Sequence, residues 1–253
     1  MLRKETPDVV INAAAFTNVE KAEENKELAY AVNGYSLVEI CSEINKFNLE
    51  QNTDLPLIHF STDYVFDGKG NKPNRPSDRV RPINVYGETK AEGEKNILSA
   101  DISYMILRTS WVVSKYRNNF LKTILKKIQN ESEISVVGDQ YGAPTSAEFV
   151  ADFLGKILLN HSVNSKREIH HICGQGETTW FNLANFIFEK TKEINGGEGK
   201  LVRINKLSSD DLESRVQRPK NSRLCCDSLI NNFPFRHIHW KNQVAEIVED
   251  LLK

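Results

Sequence analysis

At 253 residues the chain has room for one large α/β domain, or for one domain with a smaller lobe. Its 33 Lys and Arg residues nearly balance 34 Asp and Glu, a net charge of −1, so charge gives no reason to expect nucleic acid or a membrane surface as partner. The four cysteines (Cys41, Cys173, Cys225, Cys226) form no Cys-x-x-Cys pair, which suits a reducing compartment. Arg3, Lys4 and Glu5 occupy the place of a signal peptide's apolar core, and no apolar run approaches the ~20 residues of a membrane span. The expected setting is the cytoplasm, with no membrane partner.

The first element is the run Val9, Val10, Ile11, bounded by Thr6, Pro7 and Asp8. A β-branched run of this kind predicts a strand buried on both faces of a parallel sheet. Asn18 to Asn33 reads as a helix. A second helix follows, with Leu37, Ile40, Cys41 and Ile44 on one face. Strands are expected at Leu57–Phe60, Tyr104–Arg108, Ile134–Val137 and Glu168–Cys173. Helices are expected at Asn84–Leu98 and through Leu121, Ile124, Leu125 and Ile128. The TSAE stretch from Thr145 to Glu148 reads as a capping box opening another helix. Alternating strands and helices predict a doubly wound, parallel, Rossmann-like α/β sheet. From Gly174 onward the pattern loosens. A helix near Phe181–Lys192, a strand near Leu201–Ile204 and a helix carrying Trp240, Val244, Ile247 and Leu251 predict a smaller α/β lobe. The expected division is residues 1–132 and 146–173 for the dinucleotide domain, and 133–145 and 174–253 for the substrate lobe.

Three stretches carry candidate chemistry. NVYGETKAEGE places Tyr86 and Lys90 four apart, on one face of a helix. An ammonium beside a phenol favours the phenolate and draws its pKa down from about 10. Such an acid can lend a proton to a carbonyl. The same spacing also fits an amphipathic helix with an exposed lysine. Upstream, HFSTDYVFDG ends a strand at Ser61, Thr62 and Asp63, and ligands of doubly wound sheets sit at the carboxyl ends of strands. A polar turn would read alike. The third strand end, RTSW, offers Trp111 as an aromatic platform or as a core residue. His170, His171, His237 and His239 have no third ligand at a recognisable spacing, so no metal site is expected.

Together these stretches resemble the extended short-chain dehydrogenase/reductases. So do VINAAAFTNVEKAE, ILRTSWV, NNFLKTIL, VVGDQYGAPTSAE, GETTW and RPKNSRL, and the likeness runs over nearly the whole chain. The resemblance implies reduction of a 4-keto-6-deoxy nucleotide sugar with NADPH or NADH. By position Tyr86 matches the proton donor. Lys90 matches the residue that binds the nicotinamide ribose and lowers the tyrosine pKa. Thr62, with Asp63 beside it, matches the hydroxyl that positions the keto sugar, and Trp111 the residue packed on the sugar ring. Ala15, Phe16 and Thr17 match a loop along the cofactor, with Phe16 where His or Tyr is common. Arg218, Ser222 and Arg223 match a segment on the nucleotide side, although DDLESRVQ stands where a Pro-rich run is usual. Glu148 aligns with a metal-binding glutamate of some relatives; here the capping box offers it another role.

None of the 13 glycines forms Gly-x-Gly-x-x-Gly or Gly-x-x-Gly-x-x-Gly, the turn that brings a pyrophosphate to a helix N-terminus. Against the family, the Val9–Ile11 strand is then the fourth in the order 3-2-1-4-5-6-7, with roughly 50 residues of the family pattern before it. Three consequences are expected of the 253-residue chain: weak dinucleotide binding, little or no turnover, and self-association, as a homodimer or otherwise, through the open strand edge. The alternative reading is a non-catalytic subunit, like the family relative that regulates methionine adenosyltransferase.

Overall fold

The apolar runs form four parallel strands, Val10–Asn12, Leu57–Thr62, Tyr104–Thr109 and Arg167–His171, hydrogen-bonded in that order. The structure is a computed structural model and describes residues 2–159, 166–198, 201–211 and 216–253. Alternating side chains supply two cores, one on each face of the sheet. Ile58, Met105 and Leu107 pack against Phe149, Phe153 and Ile157 of the helix Ala147–Leu159. Leu57, Tyr104 and Ile106 pack on the other face against Leu37, Cys41, Ile44 and Phe47 of the helix Ser36–Gln51. Helices on both faces of a parallel sheet make this the doubly wound α/β fold.

The first strand is less covered than its β-branched run suggests. It lies at the edge of the sheet among the described residues. Val9 and Val10 pack partly against the two cores, while Ile11 stays 40% exposed.

A third core holds the C-terminal half together. Glu133–Val137 pairs in parallel with Arg203–Leu207. The helices Phe120–Asn130, Trp180–Ile194 and Trp240–Leu252 cover this pair through Leu121, Leu125, Leu183, Ile187, Val244 and Val248. Of the DDLESRVQ stretch, residues 212–215 lie outside the described residues.

Two local expectations are corrected. The single helix expected over Asn18–Asn33 is three pieces: Val19–Glu24, Lys26–Tyr30 and a π-helical turn, Ala31–Tyr35. Such turns insert an extra residue and re-aim side chains, often beside functional sites. Here the turn aims the Asn33 amide inward. Its Nδ2 donates to Thr89 Oγ1 and to the Phe16 carbonyl, each at 3.0 Å, and Phe16 N–H donates to its Oδ1 at 2.8 Å. The capping box also slips by one residue. Ser146 Oγ, not Thr145, accepts from Glu148 N–H at 3.1 Å and Phe149 N–H at 3.3 Å, while the Thr145 hydroxyl donates to Ala143 O.

The helix Val85–Leu98 is seated against backbone at two glycines. A Cβ on Gly87 would stand 2.2 Å from Tyr64 O, and one on Gly93 would stand 2.2 Å from Asn33 O. Mid-helix Gly→Ala ordinarily stabilises, by up to about 1 kcal/mol. Gly93→Ala is expected to reverse that sign and cost roughly 1–3 kcal/mol, because backbone cannot yield as a flexible side chain does. Urea denaturation of both proteins measures it; a stabilised variant would contradict the close seating.

Candidate active site

The site is built where parallel strands end. Asn12, Thr62 and Thr109 are the last residues of three neighbouring strands. The helix bearing Tyr86 crosses in front of them, started by Asn84, whose side chain accepts from Gly87 N–H at 2.9 Å. Glu23 Oε1 accepts from Val85 N–H at 2.9 Å and ties in the Val19–Glu24 helix. Ala15, Phe16 and Thr17 follow the first strand, held by the Asn33 amide, and Phe16 packs in one apolar cluster with Tyr86.

Thr62, Asp63 and Tyr86 meet directly. Thr62 Oγ1 donates to Asp63 Oδ1 at 3.2 Å and accepts from Tyr64 N–H at 3.2 Å. The Tyr86 phenol stands beside the Thr62 hydroxyl, and its ring meets Tyr64 edge-on at 5.6 Å. Burial pushes the phenol up to about 12, with the Thr62 hydrogen bond working against it and the Asp63 charge adding to it. Burial likewise pushes the Asp63 carboxyl up to about 7, against the Thr62 hydrogen bond and the nearby Ser222 hydroxyl, and its Oδ2 has no hydrogen-bond partner among the described residues.

Lys90 lies on the same helix but its charge is spent elsewhere. It is 2% exposed, and its Nζ donates to Phe60 O at 2.7 Å and lies 3.1 Å from His59 Nε2. Burial lowers it to about 8, partly offset by Glu94. The lowering of the phenol pKa expected from Lys90 is therefore corrected for this arrangement: burial of Tyr86 dominates and the ammonium reaches under the strand instead. Glu94 is itself claimed by Arg108, which donates from Nε at 2.9 Å and from Nη2 at 2.7 Å with both side chains buried.

The remaining expected residues divide. A cavity of about 980 Å³ opens beside the site, and its walls include Glu20, Phe120, Lys127, Gln140, Trp180 and Arg218. Arg218 pairs with Glu20 and is hydrogen-bonded to Tyr64. Trp111 is not on that wall. Its left-handed backbone (φ 47°) lays the indole flat on Trp180, centroids 3.6 Å apart, with Gly142 behind it where any Cβ would collide. The indole facing the cavity is Trp180, and GETTW was its only sequence sign. Arg223 also lies off the wall: Glu177 accepts from its Nε at 2.5 Å, and its guanidinium stacks 4.3 Å above Tyr141. His59 gave no signal strong enough to rank it, since it read as an ordinary buried polar residue; Ser222, matched by resemblance to the nucleotide side, is buried near Asp63.

Asp63 offers a test through stability. A carboxyl raised from 3.8 to about 7 in the folded state holds its proton longer there than in the unfolded chain. Its contribution is best below pH 4 and declines as pH rises towards 7. Asp63→Asn should remove that decline, so the variant gains on the parent by a few kcal/mol between pH 4 and 7. Parallel urea titrations at the two pH values check it; an unchanged difference would contradict the buried carboxyl.

Comparison with known proteins matches the chain over its whole length. Residues 1–253 match the family described as RmlD substrate binding domain. The chain is 37% identical over 257 residues to the dTDP-4-dehydrorhamnose reductase of Sinorhizobium fredii, covering 99% of this chain and 83% of that protein. It is 35% identical over 253 residues to the enzyme of that name from Escherichia coli K12, covering 99% and 82%. Among solved structures it resembles the dTDP-4-dehydrorhamnose reductase of Bacillus anthracis in complex with NADP, with TM-score 0.85, 28% identity, and 98% and 83% of the two chains covered. It also resembles that of Clostridium acetobutylicum, with TM-score 0.87, 29% identity, and 100% and 84% covered. With a strand-end Thr62, a helical Tyr86 and Lys90, and a match from first residue to last, the chain belongs to the RmlD substrate-binding-domain family of reductases.

Proposed function

We propose that the chain carries the residues that reduce the 4-keto group of dTDP-4-dehydro-L-rhamnose to give dTDP-L-rhamnose, with NADPH or NADH as reductant where the dinucleotide site is complete. The observation that carries the reading is the Thr62–Tyr86 hydroxyl pair, set at the carboxyl ends of parallel strands in a chain 35–37% identical to reductases of that name. The non-catalytic alternative draws no support from those relatives.

A nicotinamide bound at this site would supply the hydride for C4. The residues present suit its ribose end: the Ala15–Thr17 loop and the Tyr86 helix are clamped together by Asn33, and Lys90 is a buried cation beneath them. Thr62 orients the ketone oxygen by its hydroxyl. Tyr86 delivers the proton to that oxygen as it becomes an alkoxide. Trp180 and Arg218 serve the nucleotide sugar along the cavity wall, the indole by apolar contact and the guanidinium by charge. Arg223 and Trp111 support those walls from behind.

Two further readings rest on the same page. Among the described residues no helix is long and apolar enough to cross a membrane, and we place the chain in the cytoplasm, where its unbridged thiols are stable. The Val10–Asn12 edge, with Ile11 40% exposed, is the surface we assign to self-association; a clean monomer in size-exclusion chromatography would contradict it.

Tyr86→Phe should lower kcat by about 10²-fold or more, the scale of general acid catalysis; wild-type turnover with chemistry limiting would refute the role. Because Lys90 loses its proton as pH rises through about 8, kcat should fall on the alkaline side near that pH rather than near the 10.5 of an ordinary lysine. Trp180→Ala should raise KM for the nucleotide sugar more than KM for NADPH. Equal rises would make Trp180 a core residue only.

A further inference from the structure

Arg218 and Glu20 reach each other from separate parts of the wall of the large cavity. The two residues pair although they lie 198 positions apart in the chain. Each side chain stands on a fixed root. Asn84, the cap of the Tyr86 helix, donates from Nδ2 to Gln217 O at 2.9 Å, next to Arg218. On the other side of Arg218, Pro219 is seated so closely on Gly68 that a Cβ there would stand 2.4 Å from Pro219 Cα. Glu20 lies in the first turn of the Val19–Glu24 helix, which Asn18 caps by accepting from Lys21 N–H at 2.9 Å. With both backbones held, the pair comes apart at its side-chain tips.

The charges of the wall require such a parting before an anion can bind. The wall carries three carboxylates, Glu20, Glu23 and Glu24, and two cations, Lys127 and Arg218. Both cations are engaged, Lys127 by Glu131 at 3.5 Å and Arg218 by Glu20. A diphosphate entering this space therefore has to take a cation from a carboxylate. Arg218 suits the exchange, because a guanidinium meets phosphate oxygens in the same two-pronged geometry as a carboxylate, and a diphosphate brings more charge. Glu20 is half-exposed, so its displaced carboxylate turns into water and the pair gives way at little expense. Glu23 is not available to follow Arg218, since its Oε1 holds Val85 N–H.

We infer that Glu20 is a resident stand-in for phosphate: its carboxylate holds Arg218 at the cavity wall and yields the guanidinium to the diphosphate of an entering nucleotide. The exchange decides which anions are admitted. A free monocarboxylate offers Arg218 no more than Glu20 does, and Glu20 is tethered beside it, so the resident carboxylate wins. A diphosphate outbids both. Its affinity is reduced by the fraction of molecules in which Arg218 is engaged, and the re-forming pair favours release of the nucleotide product. Glu20 is thus a specificity-determining residue, trading some affinity for selection of polyanions.

This exchange rests on the nucleotide-side role given to Arg218, and calorimetric titrations of the full chain with dTDP and with inorganic pyrophosphate keep the two apart. Glu20→Gln should bind both anions about two- to fivefold more tightly than the parent, the scale of a partly exposed ion pair. In an Arg218→Gln background that gain should vanish, because no guanidinium is left to release. Unchanged affinity in Glu20→Gln would overturn the stand-in role. An equal gain without Arg218 would overturn it too, since Glu20 would then act by shape or by distant repulsion. Acetate competition at constant ionic strength supplies a measurement that needs no double variant. Acetate should weaken dTDP binding in Glu20→Gln and leave the parent unaffected; equal competition in both would contradict the exchange. A Glu20-dependent gain for pyrophosphate, with dTDP bound no better than pyrophosphate, would sink the nucleotide-sugar reading alone. Binding of dTDP that Glu20→Gln leaves unaltered would sink the stand-in alone. Failure of both anions to bind either the parent or Glu20→Gln would overturn the exchange.

Discussion

Everything at this site depends on how closely one helix can approach backbone. Val85–Leu98 carries Tyr86 and Lys90, and it presses on Tyr64 O at Gly87 and on Asn33 O at Gly93, where no side chain fits. The first approach brings Tyr86 to the Thr62 turn. The second brings Thr89 to the Asn33 amide, which in turn holds the loop after the first strand. Remove either contact and the strand ends and the helix no longer share a register. Catalytic geometry tolerates little such loosening, since positioning accounts for a large part of rate enhancement.

The helix also carries charge into the interior, and each charge is met there. Both Glu94 oxygens accept from the Nε–Nη2 edge of Arg108, and Arg108 Nη1 gives a further hydrogen bond to Pro76 O at 3.0 Å. Replacing such a pair with apolar groups is often harmless, while removing one partner leaves a bare buried charge. Lys90 has no such carboxylate of its own; it has a carbonyl and an imidazole. The contrast explains why the arginine is a structural cation and the lysine a titratable one. A buried amine without a matched anion is the arrangement that brings a lysine close to neutrality.

The sequence made the parallel sheet legible because its strands are continuous apolar runs, such as those through Ile58 and Ile106, separated by helices with one apolar face. Tyr86 and Lys90 were legible because four residues is a helical repeat. That repeat places two side chains on one face, and says nothing of where a long lysine tip goes; it went under the strand to Phe60. The π-helical turn was hidden because the groups it meets, the glycine seat at Gly93 and Thr89, lie about 60 residues downstream of Asn33 in the chain. Trp180 was hidden for a similar reason: a motif marks an aromatic, but only the fold shows that the indole bordering the cavity is the one stacked on Trp111. His59 was silent because a histidine within an apolar strand looks like any core residue until Asn12 is seen across from it.

The stacked indoles have an optical consequence. Two of the three tryptophans lie face to face with their planes 13° apart, and one of them borders the cavity. Transitions on rings so close are coupled, so the pair absorbs and emits as a unit rather than as two independent chromophores. A molecule seated against Trp180 changes the polarity on one side of that unit while Gly142 and Trp111 keep the other side fixed. The fold thus carries an intrinsic reporter of cavity occupancy, readable in near-ultraviolet dichroism and fluorescence without any attached dye, with the third indole, Trp240, buried in the third core as a reference.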